Sequence, residues 1–337
     1  MRFLQTRRRR NAVSDRNDGL VAAYLLDGHG GGQRLGWDEI AHWEPDDGVL
    51  WVHLDRSAET SQRWLREDSG LDELVVQALL AEETRPRCAP VDNGVMLFLR
   101  GVNLNPGSDP EDMVSIRLHM HERRIVSVRL RRLLSVDDLC AALQQGRGPR
   151  DAADFVTDLT ERLTDRMAGV IGDIDDTVDR IQSQTLEAEG RRLRGELTRL
   201  RAEIIALRRY LAPQRDAMAR LAQVNLPWLA PAHLLHLREQ ADRVTRYVED
   251  LDAARERAAV AQEELGNRLS EQMNARMYVL SIVAGIFLPL GFLTGLLGIN
   301  VGGIPLADSP SGFLEVVLIL AAITTFEILL FRWRRWF

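Results

Sequence analysis

The stretch from Met277 to Leu297, MYVLSIVAGIFLPLGFLTGLL, runs without a charge into Gly298-Ile299-Asn300, and its reading decides that of the rest of the chain. A bilayer core of about 30 Å takes roughly 20 apolar residues of helix, so this run is long enough to cross a membrane once. A second apolar run, from Phe313 to Phe331, predicts a second crossing. The connecting segment 298–312 contains no arginine, whereas Arg268 and Arg276 precede the first span and Arg332, Arg334 and Arg335 follow the second. Positive residues on one side of a hairpin predict cytoplasmic N- and C-termini, with 298–312 as a periplasmic loop and 332–337 as a basic cytoplasmic tail. A plain anchor has no need of the polar, glycine-rich break at 294–305. Non-helical backbone near a membrane is tolerated mainly where protein or a water-filled cavity satisfies its polar groups, which points toward a pore or transport role.

One side of the first span is narrow and small. Asn274, Met277, Ser281, Ala284, Leu288, Gly291, Gly295 and Gly298 follow each other in steps of three and four, while bulky Val, Ile, Phe and Leu residues cover the other sides. Such a stripe serves either close helix packing or the lining of a pore. Gly298 is expected where the chain leaves the helix, a place where a Cβ is costly.

The first span continues a much longer helix. No proline–glycine break occurs between about Ala232 and Leu297, and Pro289 lies inside the span, where a kink is tolerable. A helix of some 65 residues is close to 100 Å long at 1.5 Å per residue and needs partners along its length. Leu237, Val244, Leu251, Ala258 and Leu265 recur every seven residues and form an apolar seam. Either a bundle of identical helices or the chain's own upstream helices would cover it, and both can hold together. Roughly opposite the seam stand Asp242, Glu249, Glu256 and Glu263. They are either a solvated face or, repeated around an axis, acidic rings that concentrate cations.

Upstream, residues 19–150 read as a mixed α/β cytoplasmic domain, a sheet flanked by helices. Val49–Leu54 and Val95–Arg100 are buried-strand runs, while Val114–Met120 and Ile125–Val128 alternate as half-buried antiparallel strands do. Helices are expected at Leu71–Glu83 and Val136–Gln145. From 151 to 230 a pair of long helices follows, Ala152–Leu186 and Arg191–Val224, before the stalk helix at 231–276. Residues 1–18 read as a disordered basic tail, since no apolar run follows Arg7–Arg10 as a signal peptide would require.

Composition narrows the function further. The formal net charge of −6 argues against a general nucleic-acid binder. Cys88 and Cys140 show no paired spacing and suggest a reducing compartment. His119 and His121 share a strand face, and His233 and His236 sit three apart on a helix. Each pair could supply two ligands of a regulatory metal site, although a closed zinc site takes about four, and each could equally be a pair of surface histidines. Glu327 lies inside the second span, about one turn from Arg332. It is a functional candidate there or a side chain that reaches back to the interface. Walker A, GxGxxG, GxSxG and HExxH patterns are all missing, so the chain reads as no enzyme and no ATP-driven pump, and it needs no cofactor.

The run from Phe287-Leu288-Pro289 through Gly298-Ile299-Asn300 resembles the CorA metal-ion transporter superfamily, which has two membrane helices per subunit and a Gly-x-Asn signature closing the first. Val301-Gly302-Gly303-Ile304-Pro305 and the isoleucine at 299 are similar to its ZntB zinc-transporter branch, as are Thr84-Arg85-Pro86-Arg87, Arg208 to Asp216 and Leu226-Pro227-Trp228. The resemblance implies a CorA-like homopentamer in a bacterial inner membrane, with five first-span helices around one path. It makes Gly298, Ile299 and Asn300 the selectivity filter, the asparagine ring standing at the outer mouth. It implies Zn²⁺ as the transported ion, with proton-coupled uptake ahead of efflux. A Mg²⁺ or Co²⁺ channel remains the alternative, and a non-conducting membrane sensor a third reading. Magnesium channels of the superfamily typically carry an acidic pair after the signature, where this chain has Asp308 alone, which favours zinc.

Overall fold

The computed structural model describes residues 18–185, 190–299, 304–305 and 309–334. The chain divides into two compact units, 1–262 and 263–337. The expected basic tail before residue 18 lies outside the described residues.

The first unit is built on one seven-stranded sheet. Its strands are β1 (Leu20–Leu26), β2 (Gly32–Arg34), β3 (Val49–Asp55), β4 (Arg87–Val91), β5 (Gly94–Gly101), β6 (Val114–His121) and β7 (Arg124–Arg129), in the order β2-β1-β3-β7-β6-β5-β4. The β3–β7 pair is parallel, with Val52 opposite Val126, and the other pairs are antiparallel. The sheet is therefore mixed, as expected. β6 and β7 are not half-buried, however: Ile116, Leu118, Met120, Ile125 and Val126 are buried, and so are Arg117, His119 and Ser127 between them. Both strands sit in the middle of the sheet with both faces covered, and the polar residues that suggested a wet face are packed instead.

Three short helices cover one face: α1 (Trp37–Ala41), α2 (Glu59–Glu67) and α3 (Glu73–Leu80). Their Ile40, Trp64, Leu65, Val75, Val76 and Leu79 form one apolar cluster with Leu50, Val52 and Leu54 of β3 and Val126 and Val128 of β7. Trp51, which alternates with those β3 residues, points to the other face and meets Phe155 with ring centroids 4.8 Å apart. Phe155 belongs to α5 (Ala152–Thr185), which follows α4 (Leu134–Gln144). The next helix, α6 (Gly190–Leu221), is tied to β5 by Gln214, whose side chain accepts from the Arg100 backbone N–H at 2.6 Å and donates to its carbonyl at 2.9 Å.

The last two helices are α7 (Pro231–Leu297) and α8 (Gly312–Trp333). Leu237, Val244, Leu251 and Ala258 of α7 are all at most 1% exposed within a single chain. Ion pairs join that part of α7 to both upstream helices: Arg243 to Asp165 of α5 at 2.7 Å, Arg257 to Asp179 of α5 at 2.5 Å, and Arg208 of α6 to Asp252 at 2.5 Å. The seam is thus covered by the chain's own helices, and a bundle of identical helices would have to use another surface.

Candidate ion-conduction site

The small-residue stripe of the first span lies on α7, in the second unit. Asn274, Met277, Ser281, Ala284, Leu288, Gly291 and Gly295 are all exposed, Leu288 to 73%. The partly buried side of the same helix is another one, with Ile282, Gly285, Ile286, Pro289, Leu293 and Leu297. That side meets α8: a Cβ on Gly285 would come within 3.0 Å of the Phe331 ring. Around Gly291 and Gly295, in contrast, a Cβ would meet nothing within 4 Å. Packing against α8 therefore does not account for the small residues of the stripe. The Ser281 hydroxyl of the stripe turns inward on the helix, donating to the Met277 carbonyl at 2.8 Å, as Thr294 beside it does to the Leu290 carbonyl at 2.9 Å.

At the outer end of α7 the backbone N–H of Gly298 donates to the carbonyls of Thr294 and Gly295, at 3.0 and 3.2 Å. Gly298 is not among the residues of positive φ, so left-handed backbone is not the reason for a glycine here. A Cβ would instead lie 3.0 Å from the Thr294 carbonyl oxygen, a tight approach that a glycine avoids. Ile299 follows and is half exposed. Asn300, the third expected filter residue, lies outside the described residues, as do residues 301–303.

In the first unit Asp242, Glu249 and Glu256 are exposed, and Glu263 is exposed at the start of the second. Among the described residues none of the four has an ion pair, although neighbouring carboxylates do: Glu239 with Arg246, Asp252 with Arg208, and Glu264 with Arg268. Arginines thus neutralise the flanks of α7 and leave this row of carboxylates uncompensated.

The two histidine pairs separate. His119 and His121 meet edge to face with ring centroids 4.9 Å apart. Burial pushes His119 down to about 4 and lowers His121 as well, so both rings are neutral near pH 7. Among the described residues no third ligand joins them. His233 and His236 do not act together: His236 is exposed, while Nε2 of His233 lies 3.1 Å from Oδ1 of Asp154. Among the described residues the one group of three metal-ligand side chains is Asp151, Asp154 and His233, brought together by the first turns of α5 and α7. Sequence reasoning does not reach the aspartates, because 79 positions separate Asp154 from His233; their Asp-x-x-Asp spacing is the available signal. Arg150 already binds Asp154 at 2.6 Å, which opposes a cation there.

The upstream segments that resemble the CorA superfamily hold the scaffold. Arg100 stacks over Tyr210 at 3.9 Å, Arg87 over Phe98 at 4.6 Å, and the Trp228 indole N–H donates to the Asn93 carbonyl at 3.3 Å.

Known proteins share this architecture. The family described as "CorA-like Mg2+ transporter protein" matches residues 46–335. The divalent cation transporter CmaX of Pseudomonas aeruginosa is 44% identical over 323 residues, covering 94% of this chain and 97% of its own. The zinc transport protein ZntB of Pectobacterium carotovorum is 36% identical over 304 residues, covering 90% of this chain and 92% of its own. The solved structure of full-length CmaX superposes with a TM-score of 0.83 at 42% identity, covering 96% of this chain and all of that one. With two apolar helices, α7 and α8, long enough to cross a bilayer, the chain is a membrane protein and belongs to the CorA-like Mg2+ transporter protein family.

Proposed function

We propose that this protein transports divalent cations, with Zn²⁺ as its ion, through a path formed by five copies of the first span in a bacterial inner membrane. The observation that carries the reading is the stripe from Asn274 to Gly298. It is exposed along its whole length in one chain, and its small residues have no packing role against α8. A membrane helix that keeps glycines on an open side needs either a close neighbour or a lumen there. Around a fivefold axis the stripe would supply the lumen. Gly298, Ile299 and Asn300 would stand at its outer mouth as the filter. An asparagine amide offers both a carbonyl acceptor and an NH₂ donor, so a ring of five can hold the water shell of a cation without the tight grip of a carboxylate ring. The uncompensated carboxylates Asp242, Glu249, Glu256 and Glu263 would raise the local cation concentration on the cytoplasmic side. Transport runs as proton-coupled uptake, with both termini cytoplasmic.

The zinc assignment draws on the similarity to ZntB. A Mg²⁺ or Co²⁺ path is the second reading, supported by the Mg²⁺ transporter family that matches residues 46–335, while the higher identity to CmaX, named only as a divalent cation transporter, does not separate the two. Purified full-length protein in liposomes loaded with a zinc dye separates them. We expect Zn²⁺ entry that is faster when the proton gradient points the same way and that excess Mg²⁺ inhibits weakly. Mg²⁺ entry that Zn²⁺ does not compete with would overturn the zinc assignment. No cation entry at all would return the hairpin to an anchor.

A further inference from the structure

The second span carries one ionisable side chain that the ion path leaves unexplained. The partly buried residues of α8 include one stripe, Gly312, Val316, Leu320, Ile323, Glu327 and Phe331, in steps of three and four. Five of these are apolar and pack as a helix face should. Glu327 is the exception. Its Oε2 is closed off from solvent, and among the described residues it has neither a hydrogen-bond partner nor an ion pair. A side chain reaching back to the interface would keep both carboxylate oxygens wet, which Oε2 is not. An ionisable group held inside a span at such a cost is a functional candidate by default.

Its surroundings indicate what it does. Phe331, one turn further along α8, meets α7 at Gly285. In a two-span hairpin, one turn outward on each helix brings Glu327 to the level of Pro289. Proline has no N–H, so the Gly285 carbonyl lacks its usual donor four residues on. A protonated carboxyl is a hydrogen-bond donor, whereas a carboxylate only accepts. The packed side of α7 from Ile282 to Leu297 carries no charge, and the nearest titratable or charged groups on that helix are Tyr278 and Arg276. On α8 itself Arg332 lies off the stripe, and Glu315 at the far end accepts from the Ser311 hydroxyl at 2.7 Å. Among the described residues no cation pairs with Glu327 from either helix, and Arg334, just past the end of α8, is exposed.

We propose that Glu327 is the intramembrane proton-binding group, taking up the proton that accompanies the cation on one side of the membrane and releasing it on the other. The step forms one O–H bond on the carboxylate and breaks the same bond on release, with no redox change. The proposal rests on the proton-coupled reading above. Full-length protein in liposomes, with a zinc dye and a pH dye inside, tests it in three forms: the native chain, Glu327→Gln and Glu327→Asp. In the native chain zinc entry should respond to the proton gradient and should acidify the lumen. Glu327→Gln, a neutral isostere, should still pass zinc but lose both the gradient response and the zinc-dependent acidification. Glu327→Asp should keep the response with a displaced pH profile, because its carboxyl is one methylene shorter. A gradient response retained by Glu327→Gln would overturn the assignment, as would an unchanged pH profile in Glu327→Asp should the Gln form fail to assemble. A native chain that ignores the gradient would refute proton coupling itself, a result distinct from either of these.

Discussion

Between Leu237 and Ala258, α7 hides its seam so completely that Val244, Leu251 and Ala258 are wholly inaccessible, whereas between Met277 and Leu296 it leaves Leu280, Phe287, Leu288 and Phe292 about two-thirds exposed. One helix thus meets two environments. In the first stretch the apolar side chains are a narrow seam among charged residues, and burying the seam against α5 and α6 is what holds the helix in place. In the second they surround the helix, as suits a lipid environment, and the small residues become the informative minority. Exposure carries opposite meanings in the two stretches: an exposed carboxylate is ordinary in the first, and an exposed glycine stripe is the unusual feature of the second.

The largest effect that could break this contrast is on flux. Asn300→Ala should leave expression and assembly intact yet nearly abolish zinc entry into liposomes. Gly295→Leu should do the same, because its side chain meets nothing in one chain and would fill the space that the stripe encloses. Normal transport by both variants would remove the stripe from the ion path. Gly285→Leu offers the control, since its side chain would run into Phe331 and should lower the yield of folded protein.

Next in size is stability. Leu251→Ala removes a fully buried side chain and should destabilise the protein by about 2–5 kcal/mol, read from the denaturation midpoint in detergent. Phe292→Ala, at a position 68% exposed, should change the midpoint by no more than about 0.5 kcal/mol. A large loss at Phe292 would show that another protein chain, rather than lipid, covers that side.

Acid sharpens the comparison in a different way. Burial lowers His53 to about 3 and His119 to about 4, against an ordinary value of 6.5. The unfolded chain therefore binds more protons than the folded one within that window. Their stabilising contribution is complete above about pH 6.5 and declines as the pH falls toward the folded-state values. Both histidines belong to the sheet, so tertiary signals of the first unit should fade on acidification before the helical signal of the membrane spans does. Loss of both signals together would show that the spans depend on the sheet.

The smallest effect should come from the carboxylate row. Changing Glu249, Glu256 and Glu263 together to Gln should slow zinc flux several-fold at low ionic strength, with the difference closing above about 0.15 M salt, where the Debye length falls to about 8 Å. Flux independent of the change at every ionic strength would make the row a solvated face.

The spans, the long helix and the central strands are legible in the sequence because they follow from runs and periods, which are local properties of a chain. β1, β2 and β4 are harder to read: Leu20–Leu26 is an unbroken apolar run with two alanines, which periodicity alone does not separate from a buried helix, Gly32–Arg34 is three residues long, and Arg87–Val91 contains a proline at a sheet edge. The helix expected at Leu71–Glu83 is confined to Glu73–Leu80, started by the Asp72 side chain accepting from the Leu74 N–H. Spacing pairs His233 with His236, but the fold hands His233 to Asp154.

The sequence by itself determined the two spans, the small-residue stripe, the carboxylate row and the family resemblance, because helical period and hydropathy need only neighbours along the chain. Only the tertiary structure decided what covers the Leu237–Ala258 seam, which side of α7 stays open, and that Glu327 Oε2 is enclosed without a hydrogen-bond partner among the described residues. Those depend on which surfaces meet, and that is settled by packing between residues far apart in the chain.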